Sequence, residues 1–330
     1  RLKQLYLMTF ADMRAVAPKV YNNWRDMLLK DLYMKTLKIL EQGDREAVDP
    51  ARLLDLTKTE LRKQLATTPE RAQALEEFLA LMPDRYFLIT PPQDIPFHFD
   101  LMRRLNGNSL VSQHRHFPDR EFSEFIVATK DQHGLFAKIA GVLTANNLNI
   151  LSARITTRSD GVVLDSFRIA NIGEAAALAM DEDRWERVQR NLLAVLSGTQ
   201  SIVELVARSQ PASIASRRFV SRVATEVTVD NRTSERFTVV DVFTQDRLGL
   251  LFTITHTLSE MELQIHLARI STNADQALDV FYVSDMQGQK IAEPKVLKQI
   301  ETTLLERLGE PPTLGEPPTE GAKQDTIERP

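Results

Sequence analysis

Residues 131–160 read DQHGLFAKIAGVLTANNLNILSARITTRSD, and residues 246–275 read DRLGLLFTITHTLSEMELQIHLARISTNAD. The two stretches align without a gap at a spacing of 115 residues, and twelve of their thirty positions are identical. Two unrelated stretches of this length would share about two residues if all types were equally used. The chain therefore contains an internal repeat, and each copy is expected to form the same structural unit.

The pattern around the first copy changes between strand and helix spacing. Residues 125–129 alternate and are β-branched, whereas the apolar residues of 135–146 recur at helical spacing. Extended stretches at 149–157 and 162–169 follow, then a helix with an apolar face of Trp185, Val188, Leu192 and Val195, then an extended run at 225–229. The order strand, helix, strand, strand, helix, strand predicts a ferredoxin-like βαββαβ unit.

The residues before the first unit have helical spacing up to about Leu81. Asp49-Pro50 and Thr68-Pro69 each place a capping side chain before a proline at a first helical position, and Asn22 or Asn23 and Gly43 are candidate ends of another helix. We predict an α+β chain with five parts: a helical segment at 1–82, a connector at 83–120 with a single helix near 98–105, units at 121–230 and 236–308, and a disordered tail at 309–330.

Composition excludes several classes of protein. The net charge of -4 gives no bulk positive field for nucleic acid or an anionic membrane, and no apolar run is long enough to cross a bilayer. The absence of cysteine excludes disulfides and thiolate chemistry and is compatible with a cytoplasmic protein. Because the chain starts at Arg1 without a signal segment, we expect a piece of a longer protein.

Each repeat carries the sequence Asp-x-x-Gly-Leu where its first strand meets its first helix. The motif residues are Asp131, Gly134 and Leu135 in one copy and Asp246, Gly249 and Leu250 in the other. A glycine at a helix start lets a ligand approach the backbone amides, which favour a carboxylate, and the acid can pair with an ammonium group. This spacing suits an amino acid, although the acids could instead cap the helices and the glycines could only form the turn.

Further polar residues are candidates for the same sites. Asn149 opens the second strand of the first repeat, and Gln264 is its counterpart in the second. Either side chain could bind a ligand's carboxylate or amide beside the loop of its own repeat, but Asn149 could also be a turn residue. Arg154 and Arg269 also match between the repeats, and a solvent or strand contact is the simpler role for them.

Asp12 stands in an otherwise apolar helical stretch, Leu5–Val16. A buried acid needs a partner, so Asp12 is expected to bind a cation or to pair with an arginine, and the ion pair is the simpler alternative. One carboxylate does not make a hydrolytic metal centre, and the chain has no His-Asp pair, no Walker loop and no Gly-x-Ser-x-Gly motif. We predict no complete catalytic site.

The paired Asp-x-x-Gly-Leu units resemble ACT domains, which are small amino-acid-binding regulatory modules. Four further stretches are similar to the bifunctional PII uridylyltransferase/uridylyl-removing enzymes: residues 5–16, residues 28–33, Ala268–Thr272 and Asp279–Val283, with Trp24 between the first two. The resemblance covers about residues 1–308. It implies that the helical segment is the end of an HD domain and that Asp12 matches the last Asp of the HD metal set. It also implies that effector sites are lined by Asp131, Gly134, Leu135 and Asn149 and by their counterparts Asp246, Gly249, Leu250 and Gln264.

The resemblance also implies an activity for the whole enzyme. Members of this family transfer UMP from UTP to the PII signal protein and remove it by hydrolysis, in response to L-glutamine, with a divalent metal such as Mg or Mn. The transferase and remaining HD motifs would precede Arg1, so we expect this chain alone to be inactive. The alternative is a stand-alone ACT regulator that binds an amino acid and has no catalytic partner domain.

Overall fold

The computed structural model describes residues 1–16, 49–120, 122–171, 182–209, 224–273 and 276–309, with short pieces at 29–30, 32–34 and 36–37. Its first elements are α1 (Leu2–Val16), α2 (Pro50–Leu65) and α3 (Pro69–Leu81). Both predicted caps are present: the Asp49 side chain accepts a hydrogen bond from the Ala51 amide, and Thr68 accepts one from the Arg71 amide. The predicted helix boundaries at Asn22, Asn23 and Gly43 lie outside the described residues.

The stretch predicted as a connector contains more regular structure than expected. It forms α4 (Asp84–Ile89), α5 (Ile95–Arg104) and an edge strand, β1 (Leu110–Phe117), before a short 3-10 turn at Pro118–Arg120. We call the helices α1–α5 the helical segment, which therefore extends beyond the predicted residues 1–82. β1 was not predicted because its sequence, LVSQHRHF, is mostly polar. An edge strand packs fewer side chains than a central one, so its hydrophobic signal is weak.

The first unit comprises β1, β2 (Phe122–Lys130), α6 (Leu135–Ala145), β3 (Leu148–Arg154), β4 (Val162–Asn171) and α7 (Glu182–Leu196), followed by α8 (Ile202–Ser209). Its four strands form an antiparallel sheet of order β1-β2-β4-β3. All four residues predicted for the apolar face of α7 are buried. The extended run at 225–229, which we had assigned to this unit, does not pair here because β1 already occupies the edge beside β2.

The second unit repeats this arrangement with the order β5-β6-β8-β7. Its elements are β5 (Glu226–Asp230), β6 (Thr238–Gln245), α9 (Leu250–Glu260), β7 (Gln264–Asn273), β8 (Gln276–Ser284) and α10 (Pro294–Gly309). The run at 225–229 thus supplies β5, the edge strand of this second sheet. The predicted fold class, two ferredoxin-like units after a helical segment, is confirmed, and the edge strand of each unit precedes the duplicated motif rather than following it.

One hydrophobic core joins the two units. It contains residues from both sheets and from α6, α7, α9 and α10. The helices α6 and α9 pack against each other, and the strands β3 and β7 lie side by side. Because α6 is covered by its own sheet, by α8 and by α9, its residues Leu135–Ala137 and Ile139–Thr144 are all buried. The apolar burial that stabilises each unit is therefore partly supplied by the other unit.

A second core joins the helical segment to the outer face of the first sheet. Buried residues of α2–α5 pack there against Val111, Ile126, Ala128 and Leu164. The loop between β3 and β4 reinforces this contact, since the Ser159 amide donates a hydrogen bond to the Leu81 carbonyl at the end of α3.

Among the described residues, no helix combines the length and the apolar character needed to cross a bilayer. Of the predicted tail, Gly309 ends α10 and the remaining residues lie outside the described part of the chain.

Candidate functional site

The two Asp-x-x-Gly-Leu loops, which we call the first loop (residues 131–135) and the second loop (residues 246–250), adopt the same backbone conformation. Gly134 and Gly249 lie in the left-handed region, with φ of 68° and 80°, immediately before α6 and α9. The glycine is the N-cap residue of each helix, and the acid lies three residues before it. The glycines are needed for the turn because a Cβ atom disfavours this φ. Leu135 and Leu250 are buried and anchor the start of each helix.

The two loop acids have different surroundings. Asp131 is exposed, although nearby protein atoms desolvate its carboxyl and raise its pKa. Asp246 is half-buried, and its Oδ2 accepts a hydrogen bond of 2.9 Å from the Asn149 side-chain amide. Burial raises the pKa of Asp246, and this hydrogen bond partly offsets the rise.

The position of Asn149 differs from the expectation. We predicted that it would lie beside the loop of its own repeat, but its amide contacts the acid of the other repeat. The reason is the pairing of the units, which places β3 against β7 and so brings the start of β3 to the second loop. Gln264 is half-buried at the start of β7, and an ionisable neighbour that β7 gives Asp131 is His266, two residues further on.

The first loop also contacts the second unit through residues that sequence reasoning missed. His133 Nε2 lies 3.0 Å from the Ser259 carbonyl and 3.1 Å from its hydroxyl, at the end of α9. A Cβ atom on Gly134 would lie 2.7 Å from the same hydroxyl. The repeat carries no signal of this contact, because Leu248 and Thr144 are the counterparts of His133 and Ser259.

A cavity of about 1070 Å³ opens beside the first loop. The helical segment contributes α3 and α5 to its wall, and the first unit contributes the end of β2, the loop after β3 and the end of α7. Cationic and anionic side chains both line it: Arg103, Lys130, Arg158, Glu70, Glu77, Asp131 and Asp160. Apolar residues of both parts complete the wall, so the cavity suits a small ligand with both charges and an apolar portion.

Arg158 connects two parts of the cavity wall, the β3–β4 loop and α3. Its side chain is 10% exposed, lies 2.7 Å from Asp160 and reaches Glu77 of α3 at 3.6 Å. The Asp131 amide donates a hydrogen bond to the carbonyl of Gly161 in the same loop. The first loop, the β3–β4 loop and α3 therefore form one connected set of polar contacts.

Each unit also buries an acid on its central strand, which the sequence analysis missed. Asp165 in β4 and Asp279 in β8 are 1% and 2% exposed. The Thr156 amide donates a hydrogen bond of 3.3 Å to Asp165, whereas Oδ1 of Asp279 has no partner. The shared Leu-Asp dipeptide was the available signal, but its spacing is 114 residues rather than 115, so the gapless alignment does not pair it.

Burial dominates the acid–base behaviour of these two carboxyls. It raises the pKa of Asp165 well above its usual value, and the charge of Asp131 adds to this rise. In Asp279, burial and the charge of Asp246 raise the pKa to about 8, against a hydrogen bond from the Ser271 amide. Each loop acid thus lies close enough to a buried, neutral acid for the two to interact electrostatically.

Asp12 lies on α1 and is exposed, so it is not the buried acid that the sequence suggested. Within the described parts of the chain, no group of three or more His, Cys, Asp or Glu side chains could hold a metal ion. One carboxylate does not make a hydrolytic metal centre, so a metal ion at Asp12 would need further ligands from outside the described residues.

Comparison with known proteins places this architecture among named relatives. Residues 226–314 match a family model described as an ACR9-like, ACT-like domain. The bifunctional uridylyltransferase/uridylyl-removing enzyme of Rhodospirillum rubrum is 34% identical over 98% of this chain and 34% of its own length. The enzymes of the same name from Azospirillum brasilense and Gluconobacter oxydans are 34% and 33% identical, each over 94% of this chain and 33% of their own length.

A solved structure of an unknown protein from Galdieria sulphuraria covers 60% of this chain and 92% of its own at 16% identity, with a TM-score of 0.17 that is too low to indicate a shared architecture. The sequence relatives are informative because all three carry the same name and match both the helical segment and the paired units. The chain spans about one third of their length. It is therefore homologous, along nearly its whole length, to one third of a bifunctional uridylyltransferase/uridylyl-removing enzyme.

Proposed function

We propose that this chain is the regulatory part of a nitrogen-sensing enzyme, in which the paired units bind L-glutamine and bias the whole enzyme between adding UMP to the PII protein and removing it. The observation that carries the proposal is the duplicated loop. Two left-handed glycines follow two acids at the starts of two helices, where the units meet each other and the helical segment.

The loop suits the polar ends of an amino acid. Backbone amides at a helix start favour a carboxylate because they point toward it and the helix dipole adds to the attraction. The acid ahead of the glycine offers the opposite charge for an ammonium group. A zwitterion satisfies both, whereas a simple anion or cation would satisfy one and be repelled by the other.

Effector binding can reach the helical segment through contacts already described. The Asp131 amide donates a hydrogen bond to the Gly161 carbonyl in the β3–β4 loop. That loop contacts α3 in two places: Arg158 lies 3.6 Å from Glu77, and the Ser159 amide donates a hydrogen bond to the Leu81 carbonyl. Binding that favours one arrangement of the loop would therefore favour one docking of the helices, and this difference in affinity is the source of the allosteric effect.

The rest of the enzyme's chemistry belongs to the parts that this chain does not span. We propose that the helical segment is the end of an HD domain, that Asp12 completes a divalent metal set supplied elsewhere in the enzyme, and that UTP and the PII protein bind outside the paired units. A bound metal would supply Lewis-acid activation for UMP removal. On the basis of this function, we propose a cytoplasmic location.

Calorimetric titration of this chain with L-glutamine tests the sensing proposal. We expect saturable binding by the unmodified chain and its loss in Asp131→Asn/Asp246→Asn, because both loops then lack their negative charge. Asp119→Asn/Asp183→Asn is the matched control, since both acids are exposed and lie outside the loops. A folded, unmodified chain that takes up no L-glutamine would contradict the proposal.

A further inference from the structure

The two loops have nearly the same sequence and backbone, but the structure makes them unequal. Asp246 is half-buried between the units, and its Oδ2 accepts a hydrogen bond from Asn149. A ligand ammonium at this acid would have to displace or share the Asn149 amide. Asp131 is exposed and borders the 1070 Å³ cavity, so a ligand can reach its carboxyl directly.

A cationic side chain of the helical segment also lines the cavity. Arg103 lines it from α5 in the helical segment. Among the residues that the structure describes, the carboxylate nearest to its guanidinium is that of Asp100, at 3.8 Å, which is too far for a good hydrogen bond, and the Arg103 side chain is 39% exposed. A guanidinium with free donors can bind a carboxylate through two hydrogen bonds. Arg158 is less suitable, because Asp160 and Glu77 already engage it.

We propose that the amino acid binds at the first loop rather than the second, in the cavity between that loop and the helical segment. Its ammonium would lie at Asp131 and its carboxylate at Arg103 rather than at the amides of the helix start, because Gly134 and α6 do not line this cavity. This inference rests on the proposed function and specifies which loop serves it. The ligand would bridge two parts of the chain that share a hydrophobic core, and it would not bridge the two units.

The second loop then has a structural role. The Asn149–Asp246 hydrogen bond joins the start of β3 to the loop before α9 and so helps to fix the two units against each other. The duplication would have produced two equal loops, of which one came to face the helical segment and the other became part of the interface between the units.

Four single variants of the full chain test this assignment by titration with L-glutamine. We expect Asp131→Asn and Arg103→Gln to weaken binding at least tenfold, because each removes one charge that pairs with the zwitterion. Asp246→Asn should change the dissociation constant by less than threefold. Arg104→Gln is the matched control on the same helix, since Arg104 contacts Gln113 and does not line the cavity.

The outcomes separate this inference from the proposed function. If the unmodified chain binds one L-glutamine and only Asp246→Asn weakens it, sensing stands and our choice of loop is wrong. Equal losses in the two Asp variants would overturn the inequality of the loops. A loss in Asp131→Asn without one in Arg103→Gln would overturn the bridging position. Circular dichroism at the titration temperature establishes that each variant is folded.

Discussion

At the scale of single residues, Gly134 is under two separate constraints. Its φ of 68° disfavours any side chain, and a Cβ atom would lie 2.7 Å from the Ser259 hydroxyl of the other unit. Gly161 has a similar φ of 78° but no heavy atom within 4 Å of its Cβ position. The two glycines therefore separate the cost of backbone strain from the cost of a contact between the units.

We expect Gly161→Ala to lower the free energy of unfolding by about 1 kcal/mol, the usual cost of a left-handed alanine. Gly134→Ala should cost about 1–3 kcal/mol more, because Ser259 must also move. Urea denaturation measures both. Adding Ser259→Gly to Gly134→Ala should recover much of the difference, and equal costs for the two single variants would show that the contact is unimportant.

Asp279 gives a second prediction at this scale, concerning pH. Its pKa is about 8 in the folded chain and close to its ordinary value of 3.8 when unfolded. Between these values the folded state binds the extra proton, so this residue's contribution to stability falls as pH rises, by up to about 1.4 kcal/mol per pH unit. Asp279→Asn keeps the shape and cannot ionise, so the difference in stability between variant and unmodified chain should grow in the variant's favour from pH 5 to 8.

Urea denaturation of both proteins at several pH values checks this prediction. Comparing the two proteins at each pH cancels the effect of other groups, such as His98, whose burial lowers its pKa to about 4. A difference that does not change with pH would mean that Asp279 is ionised in the folded chain.

The local structure of the candidate site could be predicted from the sequence, whereas contacts that depend on packing could not. The strand-to-helix turns at Gly134 and Gly249 were predictable because a turn and a helix start leave a pattern within five residues. The Asn149–Asp246 contact was not, since nothing in a strand's own sequence tells which sheet lies beside it. The burial of the Asp279 carboxyl was not predicted for a related reason. An acidic residue in a strand is expected to face solvent unless the helices that cover that strand are known.

At the scale of elements, α6 is packed tightly between α8 and α9. A Cβ atom on Gly141 would lie 2.5 Å from Ile202 Cγ1 of α8 and 2.9 Å from Phe252 of α9. In an open helix, Gly→Ala would stabilise by about 1 kcal/mol. Here we expect the sign to reverse, with Gly141→Ala costing about 1–3 kcal/mol through overpacking.

A double-variant cycle checks the cause of that loss. Ile202→Ala removes both of the closest atoms, so Gly141→Ala should cost less in that background, where only the 2.9 Å contact with Phe252 remains below 3.0 Å. Free energies of unfolding from urea titration give the coupling. If Gly141→Ala costs the same in both backgrounds, the tight contact with α8 is not what disfavours the side chain.

Edge strands account for most of the difference between the predicted and observed elements. The central strands β2, β4, β6 and β8 are strongly apolar and were expected, apart from the precise ends of each. β1 and β5 each complete a four-stranded sheet by pairing with the next strand along the chain. This position could not be inferred, because a strand that pairs with the following strand and a strand that returns to the sheet after a helix have the same local sequence pattern. The helical caps were correct, since a capping side chain and a proline act on neighbouring residues alone.

At the scale of the whole molecule, the first sheet belongs to two cores at once. Ile126 faces the helical segment and Val127 faces the core shared by the two units, although they are neighbours in β2. Both are fully buried, at 0% and 1% exposure. Truncating one or the other therefore weakens one core while leaving the other's side chains unchanged.

We expect Ile126→Ala to cost about 2–5 kcal/mol and to loosen mainly the docking of the helical segment. Hydrogen exchange measured by mass spectrometry should then rise more in α3 and α5 than in α6 and α9. Val127→Ala is the matched variant and should produce the reverse pattern, because it leaves a cavity in the core of the paired units. If both variants raised exchange equally in all four helices, the two cores would open as one cooperative unit, and a ligand at the first loop could not shift the helical segment without disturbing the pair.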